Sequence, residues 1–198
     1  KLDQRLAEYD VPHVFSAIVT FELPFGKNRA LLSNSNTWVD AVVGGWNINT
    51  QYFFRSGQPI DFPNAAPTQP KSAKLSSDER DKRSTTGTFD IFKDAWFDTT
   101  LFPRTAQAPF TLRDFPTRFP DVRSPVQQSW EISVFKEFRI RERVRVQLRA
   151  DSQNAFNQNY FGRLLARPNN VQDSRFGLLD PAQDNSPKNI VAILKVIF

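Results

Sequence analysis

The chain is dominated by segments of about ten residues in which apolar and polar side chains alternate. In HVFSAIVTFEL, His13, Phe15, Ala17, Val19, Phe21 and Leu23 fall on one side, opposite Ser16, Thr20 and Glu22, with Val14 and Ile18. In WNINTQYFFRS, Trp46, Ile48, Tyr52 and Phe54 oppose Asn47, Asn49, Gln51 and Arg55. WEISVFKEFRI sets Trp130, Ile132, Val134, Phe138 and Ile140 against Glu131, Ser133, Glu137 and Arg139, blurred by Lys136 on the apolar side and Phe135 on the polar one. The cleanest is RVRVQLRAD, with Val144, Val146, Leu148 and Ala150 against Arg143, Arg145, Gln147, Arg149 and Asp151. In the last, NIVAILKVIF, Ile190, Ala192, Leu194, Val196 and Phe198 alternate with Val191, Ile193, Lys195 and Ile197. Period two predicts about five strands with two unlike faces, an all-β antiparallel fold.

Such strands suit a soluble sandwich or a membrane barrel. A tilted strand of about 9–11 residues crosses a bilayer, whereas sandwich strands run to about 5–6. The connections also alternate. A tight turn near Arg141 and Glu142 joins segments three and four, whereas long stretches of about 58–127 and about 157–188 precede segments three and five. Short periplasmic turns and long extracellular loops give that order when the chain ends in the periplasm. The expected fold is therefore a segment of an antiparallel transmembrane β-barrel with long extracellular loops. TWVDAVV predicts a short helix between segments one and two, and NAAPTQPKSAKLSSDERDKRSTTG predicts a mobile surface loop. No separate domain boundary stands out.

Composition removes several alternatives. A chain with no Cys has no disulfide frame, no Cys-ligated zinc and no thiol nucleophile. One histidine, His13, leaves no His cluster and no His-dependent triad with partners here. No run approaches the roughly 20 apolar residues of a membrane helix. The net charge of +5 raises nucleic acid as a partner, but the basic residues are spread along alternating strands, so no nucleic-acid partner is expected. A start at Lys1 without Met or export signal implies a piece of a longer chain. Five strands cannot close a barrel whose smallest members have eight, so the final strand is expected to pair with a first strand lying outside this stretch.

Longer motifs carry a family resemblance. DVPHVFSAIVTFELPFGKNR followed by GGWNINTQYFFRSGQPI resembles the late barrel of TonB-dependent receptors of the Oar-like type. So does WFDTTLF followed by PDVRSPVQQSWEISVFKEFRIRERVRVQLRADSQNAFNQNYFG. The shared features are an S-G-x-P strand end at Ser56 to Pro59, an N-x-F-N stretch at Asn154 to Asn157, and the Phe161-Gly162 pair. The resemblance implies about five C-terminal strands of a 22-stranded outer-membrane barrel, here without its plug domain. The parent would be a bacterial outer-membrane transporter whose ligand is admitted when a TonB-type energy-coupling protein pulls on the plug. Implied partners are outer-membrane lipid, the rest of the barrel and plug, and the barrel assembly machinery. No cofactor and no enzymatic chemistry are implied. An outer-membrane adhesion barrel without energy coupling and a soluble carbohydrate-binding β-sandwich are the other readings of the same residues.

Three residue sets are candidates for function. Ile190, Ala192, Leu194, Val196 and Phe198 resemble the terminal signature that the assembly machinery reads. Glu131, Glu137, Arg139, Arg143, Arg145 and Arg149 suit a cross-strand charge ladder facing the lumen and a plug. Trp96, Phe97, Phe102, Phe110, Phe115 and Phe119 suit either ligand contact or a hydrophobic cluster that shapes the loop. Asp90, Asp94 and Asp98 lack the Asp-x-Asp-x-Asp-Gly spacing of a calcium loop and read as solvated carboxylates. Trp46, Tyr52 and Trp130 read as an interfacial aromatic girdle rather than sugar platforms, and His13 as a residue at the membrane–water boundary. Phe198→Ser is expected to lower the amount of folded protein in the outer membrane, read by heat-modifiable gel migration; normal insertion would remove the assembly-signal role.

Overall fold

The structure, a computed structural model, describes residues 6–62, 71–104, 108, 110, 116–162, 164 and 170–198. Its elements in chain order are β1 (Val14–Glu22), α1 (Thr37–Val43), β2 (Trp46–Arg55), β3 (Pro59–Asp61), α2 (Ser77–Arg83), a 3-10 turn at Thr99–Leu101, β4 (Arg118–Arg123), β5 (Gln127–Arg141), β6 (Val144–Gln153) and β7 (Asn189–Ile197). They divide into two units.

One unit, residues 15–54, 128–158 and 186–198, is an open five-stranded sheet in the order β1-β2-β5-β6-β7. All five predicted segments form it, with β5 longer than expected at 15 residues. The pairs β5–β6 and β6–β7 are antiparallel. Their registers put Val134, Ala150 and Ala192 in one row across the sheet, and Phe138, Val146 and Val196 in another. Rings of Phe15 and Tyr52 lie 6.1 Å apart, and those of Tyr52 and Trp130 4.6 Å apart, which carries this face across β2 to β1.

One face is thus apolar from β1 to β7, and among the described residues of this unit no second sheet covers it. Every buried apolar residue described, from Ile60 to Leu179, belongs to the other unit. Leu148, Ile190, Leu194 and Val196 are exposed on this face instead. A contiguous apolar face left exposed across five strands is unusual in soluble monomers and matches the outer wall of a barrel.

Two expectations for this sheet need correction. Arg143 is not on a strand; it shares the turn between β5 and β6 with Glu142, because β6 begins at Val144. Lys136, which blurred the apolar side of β5, is 5% exposed. Its Nζ donates to the carbonyls of Asp40 (3.2 Å) and Ala41 (2.7 Å) near the end of α1. The predicted helix is present. Asn36 caps it by accepting from the Val39 N–H, and Gly45, at φ +70°, turns the chain out of it into β2.

The other unit, residues 1–14, 55–127 and 159–185, gathers the two long connections around one core. The expected mobile loop is corrected over its described part, because residues 77–83 are the helix α2. Ser76 and Glu79 form a capping box in which each side chain takes up the other's backbone N–H. Residues 64–70 of that stretch lie outside the described residues.

Val146→Arg is expected to cost roughly 2–4 kcal/mol in a bilayer, whereas Gln147→Lys on the opposite face costs close to nothing. Denaturant unfolding of the full-length protein in phospholipid vesicles measures both. Equal, small costs would place the apolar face in water.

Candidate functional site

The loop unit is built on phenylalanine. Phe62, just after β3, meets Phe97 and Phe119 edge-on at 4.9 and 5.0 Å and stacks on Phe102 at 5.3 Å. Phe176, from the second long connection, meets Phe97 at 5.4 Å and Phe102 at 5.7 Å. Each buried ring contributes roughly 1.5–3 kcal/mol of transfer free energy, and each good ring pair about 0.5–1.5 more. This cluster holds two stretches of chain that are far apart in sequence.

The candidate loop aromatics divide accordingly. Phe97, Phe102 and Phe119 have exposures of 0, 3 and 1%, so of their two readings they take the hydrophobic cluster that shapes the loop and not ligand contact. Trp96 packs against this core and donates its indole N–H to the Arg123 carbonyl at 2.7 Å. The guanidinium of Arg80 lies 4.0 Å over its ring. Phe110 is fully exposed, with φ at +62°, and is the candidate left at the surface. Phe115 lies outside the described residues.

Two arginines on β4 were not anticipated. Arg118 pairs with Asp61 and donates to the Leu6 carbonyl at 2.8 Å; Arg123 pairs with Asp10 at 2.6 Å and donates to its carbonyl at 2.8 Å. Together they pin the chain that leads into β1. The sequence signal was RFPDVR, basic residues five apart at the two ends of an edge strand, which alone names no partner. The S-G-x-P motif also gains a reason. Ser56 exchanges hydrogen bonds with the His13 backbone, and a Cβ on Gly57 would fall 1.7 Å from the Ser124 carbonyl oxygen. In N-x-F-N, Asn154 and Asn157 both take positive φ. Asn154 donates to the Gln158 and Ser186 carbonyls, fixing the exit from β6.

The three aspartates of FDIFKDAWFD are engaged within the unit. Asp90 accepts from the Phe92 N–H, and Asp94 from the Asp90 N–H. Asp98 takes both guanidinium nitrogens of Arg83, at 2.6 and 2.9 Å, and the Thr100 hydroxyl. No group of three or more His, Asp or Glu poised for a metal is found among the described residues. The Arg83 hydrogen bonds hold the Asp98 carboxyl below its ordinary range, against the opposite pull of burial. Arg175 does the same for Asp173, down to about 2.

On the sheet, the candidate ladder is partly assembled. Glu137 faces Gln147 across the β5–β6 pair, accepts from its amide at 3.0 Å, and lies 3.5 Å from Arg145. Arg149 reaches Asp151 at 2.6 Å and Ser133 at 3.2 Å. Arg139 lies directly opposite Arg145, a like-charge pair that the neighbouring Glu137 offsets. Glu131 is exposed on the same side, and Arg143 stays apart in its turn. Exposed Ile18, Val191 and Ile193 share this polar face, so it is mixed rather than wholly wet. Four of the terminal-signature residues lie on the other face in register with β6: Ile190 with Ser152, Ala192 with Ala150, Leu194 with Leu148 and Val196 with Val146. Phe198 follows the end of β7 and is almost fully exposed.

A long-stranded antiparallel sheet with one uncovered apolar face, one charged face and long connections defines an outer-membrane β-barrel protein. The sequence matches the family described as an outer membrane beta barrel domain over residues 1–190. The chain belongs to that family, and its location is the bacterial outer membrane. Searches of the curated proteins and of the solved structures found no significant match.

Because the folded value of Asp98 is depressed, its ion pair stabilises the unit fully above about pH 4 and less as pH falls below that. Asp98→Asn is expected to cost about 1 kcal/mol at neutral pH, between an exposed ion pair and a buried charge-assisted bond. It also flattens the acid dependence. Hydrogen exchange of α2 between pH 6 and 3, corrected for intrinsic rates, reads both; an unchanged acid profile would remove Asp98 from the linkage.

Proposed function

We propose that the chain forms late strands of a TonB-dependent transporter, of the Oar-like type, with 22 strands and a plug. The observation that carries this reading is the mixed character of the charged face. A water-filled pore wall gains nothing from Ile18, Val191 and Ile193 among Arg145, Arg149 and Glu137. The wall of a filled barrel does, because such a face packs against a folded plug through apolar contacts and matched charges. β1 and β7 then pair with further strands, since open edges in lipid leave backbone groups without partners at several kcal/mol each. The loop unit captures the ligand on a preordered scaffold, and the plug gates its passage. The terminal signature directs assembly. No residue of this chain makes or breaks a covalent bond in that mechanism.

A second reading, a surface attachment barrel without energy coupling, is favoured by the cored loop unit, since adhesion also needs a rigid external platform. A soluble sandwich is set aside by the uncovered apolar face and the family membership. The two barrel readings part at the energy-coupling step. The full-length protein in vesicles is expected to bind the purified periplasmic domain of the TonB-type partner, measured by surface plasmon resonance. Absence of binding, with folded protein verified by heat-modifiable migration, would turn the assignment to adhesion.

A further inference from the structure

We infer that α1 is a membrane-contacting helix, seated on the lipid side of the barrel wall and inserted into the periplasmic leaflet. The inference rests on the barrel assignment and not on energy coupling. β2 begins at Trp46, whereas its neighbour β5 continues to Arg141. Tyr52 lies beside Trp130 and Trp46 near Lys136, so β5 runs on past the start of β2 with Phe138 and Ile140. The connection from β1 to β2 returns across the apolar face there, because Lys136 shares the parity of Trp130, Val134 and Phe138, and its ammonium ends on the α1 carbonyls. The same ammonium lies 5.0 Å from the Phe138 ring centroid and 6.0 Å from that of Trp46. The Trp46 indole donates to the Val42 carbonyl at 2.8 Å.

What α1 turns outward is apolar. Trp38 is 84% exposed and Val42 69%, with Val39 beside them and Leu31 and Leu32 just before the helix. The helix has one charge, Asp40, and its carboxylate is turned back to accept the Lys27 N–H. Its backbone ends are also closed, by Asn36 at the start and by Lys136 at the carbonyl end. Low-dielectric surroundings demand that combination: no outward charge, satisfied helix ends, and a lysine that would be costly bare in lipid but is stable against the negative end of a helix. Trp at such a level is the residue of the membrane interface. Beside α1 the apolar face continues as a groove of about 310 Å³ lined by Trp46, Leu148, Ala150, Ala192 and Leu194, with Arg149 and Ile193 of the intervening positions also reaching it. The outward face of α1 is thus continuous with the lipid-facing wall. The leaflet follows from topology, because α1 lies at the end of the sheet that also holds the β5–β6 turn, opposite the long connections.

The test places a nitroxide on the full-length protein in phospholipid vesicles at Val42→Cys, with Leu194→Cys as the strand reference and Glu142→Cys as the aqueous one. Power saturation with oxygen and with a water-soluble nickel chelate then reads the surroundings of each. The expected result is an oxygen-to-nickel accessibility ratio at Val42 several-fold above that at Glu142 and close to that at Leu194. A nickel-accessible Val42 beside a lipid-exposed Leu194 would overturn the inference while leaving the barrel wall intact. So would a Val42 label immobilised and shielded from both reagents, which would assign the helix to a protein partner. A nickel-accessible Leu194 would instead overturn the lipid-facing wall on which the inference rests.

Discussion

The structure depends on one uncovered surface. Among the described residues of its own unit, the apolar face of the five-stranded sheet is met only by α1, so its stability must come from a medium that is itself apolar. In water, exposing Leu148, Leu194, Val196 and their neighbours would cost about 25 cal/mol for each Å² of surface and invite association. In a bilayer the same exposure costs nothing, and strand length, tilt and the requirement for satisfied backbone groups become the controlling terms. The aromatic rows fit that setting. Tyr52 and Trp130 cluster toward the end with the long connections, and Trp46 lies six residues away along β2. At about 3.3 Å per residue that is roughly 20 Å along a strand, comparable with the apolar band of an outer-membrane barrel.

The two units answer different solvents with different chemistry. The sheet uses β-branched and aliphatic residues on one face and charge on the other. The loop unit hides its apolar residues in a conventional core, as a unit surrounded by water does. Phenylalanine suits that role in a unit assembled from separate stretches: one ring fills much volume at little entropic cost, and edge-to-face contacts fix orientation as well as burial. Around the core, Arg118 and Arg123 tie the chain entering β1 to β4, and Arg83 with Asp98 ties α2 to the 3-10 turn. The long connections are therefore ordered by the same logic that folds small soluble domains.

The strands were legible because a barrel wall writes its two environments directly into alternate residues. The short helix α1 was legible from seven residues with little competing signal. Lys136 read as a blemish, since a period-two pattern has no place for a side chain whose partner is a helix 95 residues earlier. The loop unit was legible only as long loops in which a hydrophobic cluster was one of two readings of the aromatics. Its core draws Phe62, Phe97, Phe119 and Phe176 from remote stretches, and local patterning cannot see contacts whose value arises only in three dimensions. Yet one local sign was present: Ser76 followed by Glu79 is a capping box, and it stood inside a stretch taken as mobile. The aromatic candidates were divided by the same cause. Residue type marks a ring as useful for binding or for packing, and only burial tells which, as Phe110 and Phe97 show.

The polar face poses the complementary problem. A wet wall and a wall against a plug both favour charge, and both are compatible with the Glu137–Arg145 and Arg149–Asp151 pairs. They differ in what they do with aliphatic residues. Water penalises Val191 and Ile193 at every position where they face it, and selection for a wide pore gives no reason to keep them. A protein surface inside the barrel turns the same residues into contacts and leaves the neighbouring ion pairs partly desolvated, where they gain in strength and geometric selectivity. Weak individual pairs also suit a plug that has to move: a few exposed ion pairs at roughly 0–1 kcal/mol each can hold a register without locking it. On the transporter reading proposed above, the charged face of the sheet would hold a plug firmly enough to close a pore and loosely enough for it to be pulled away.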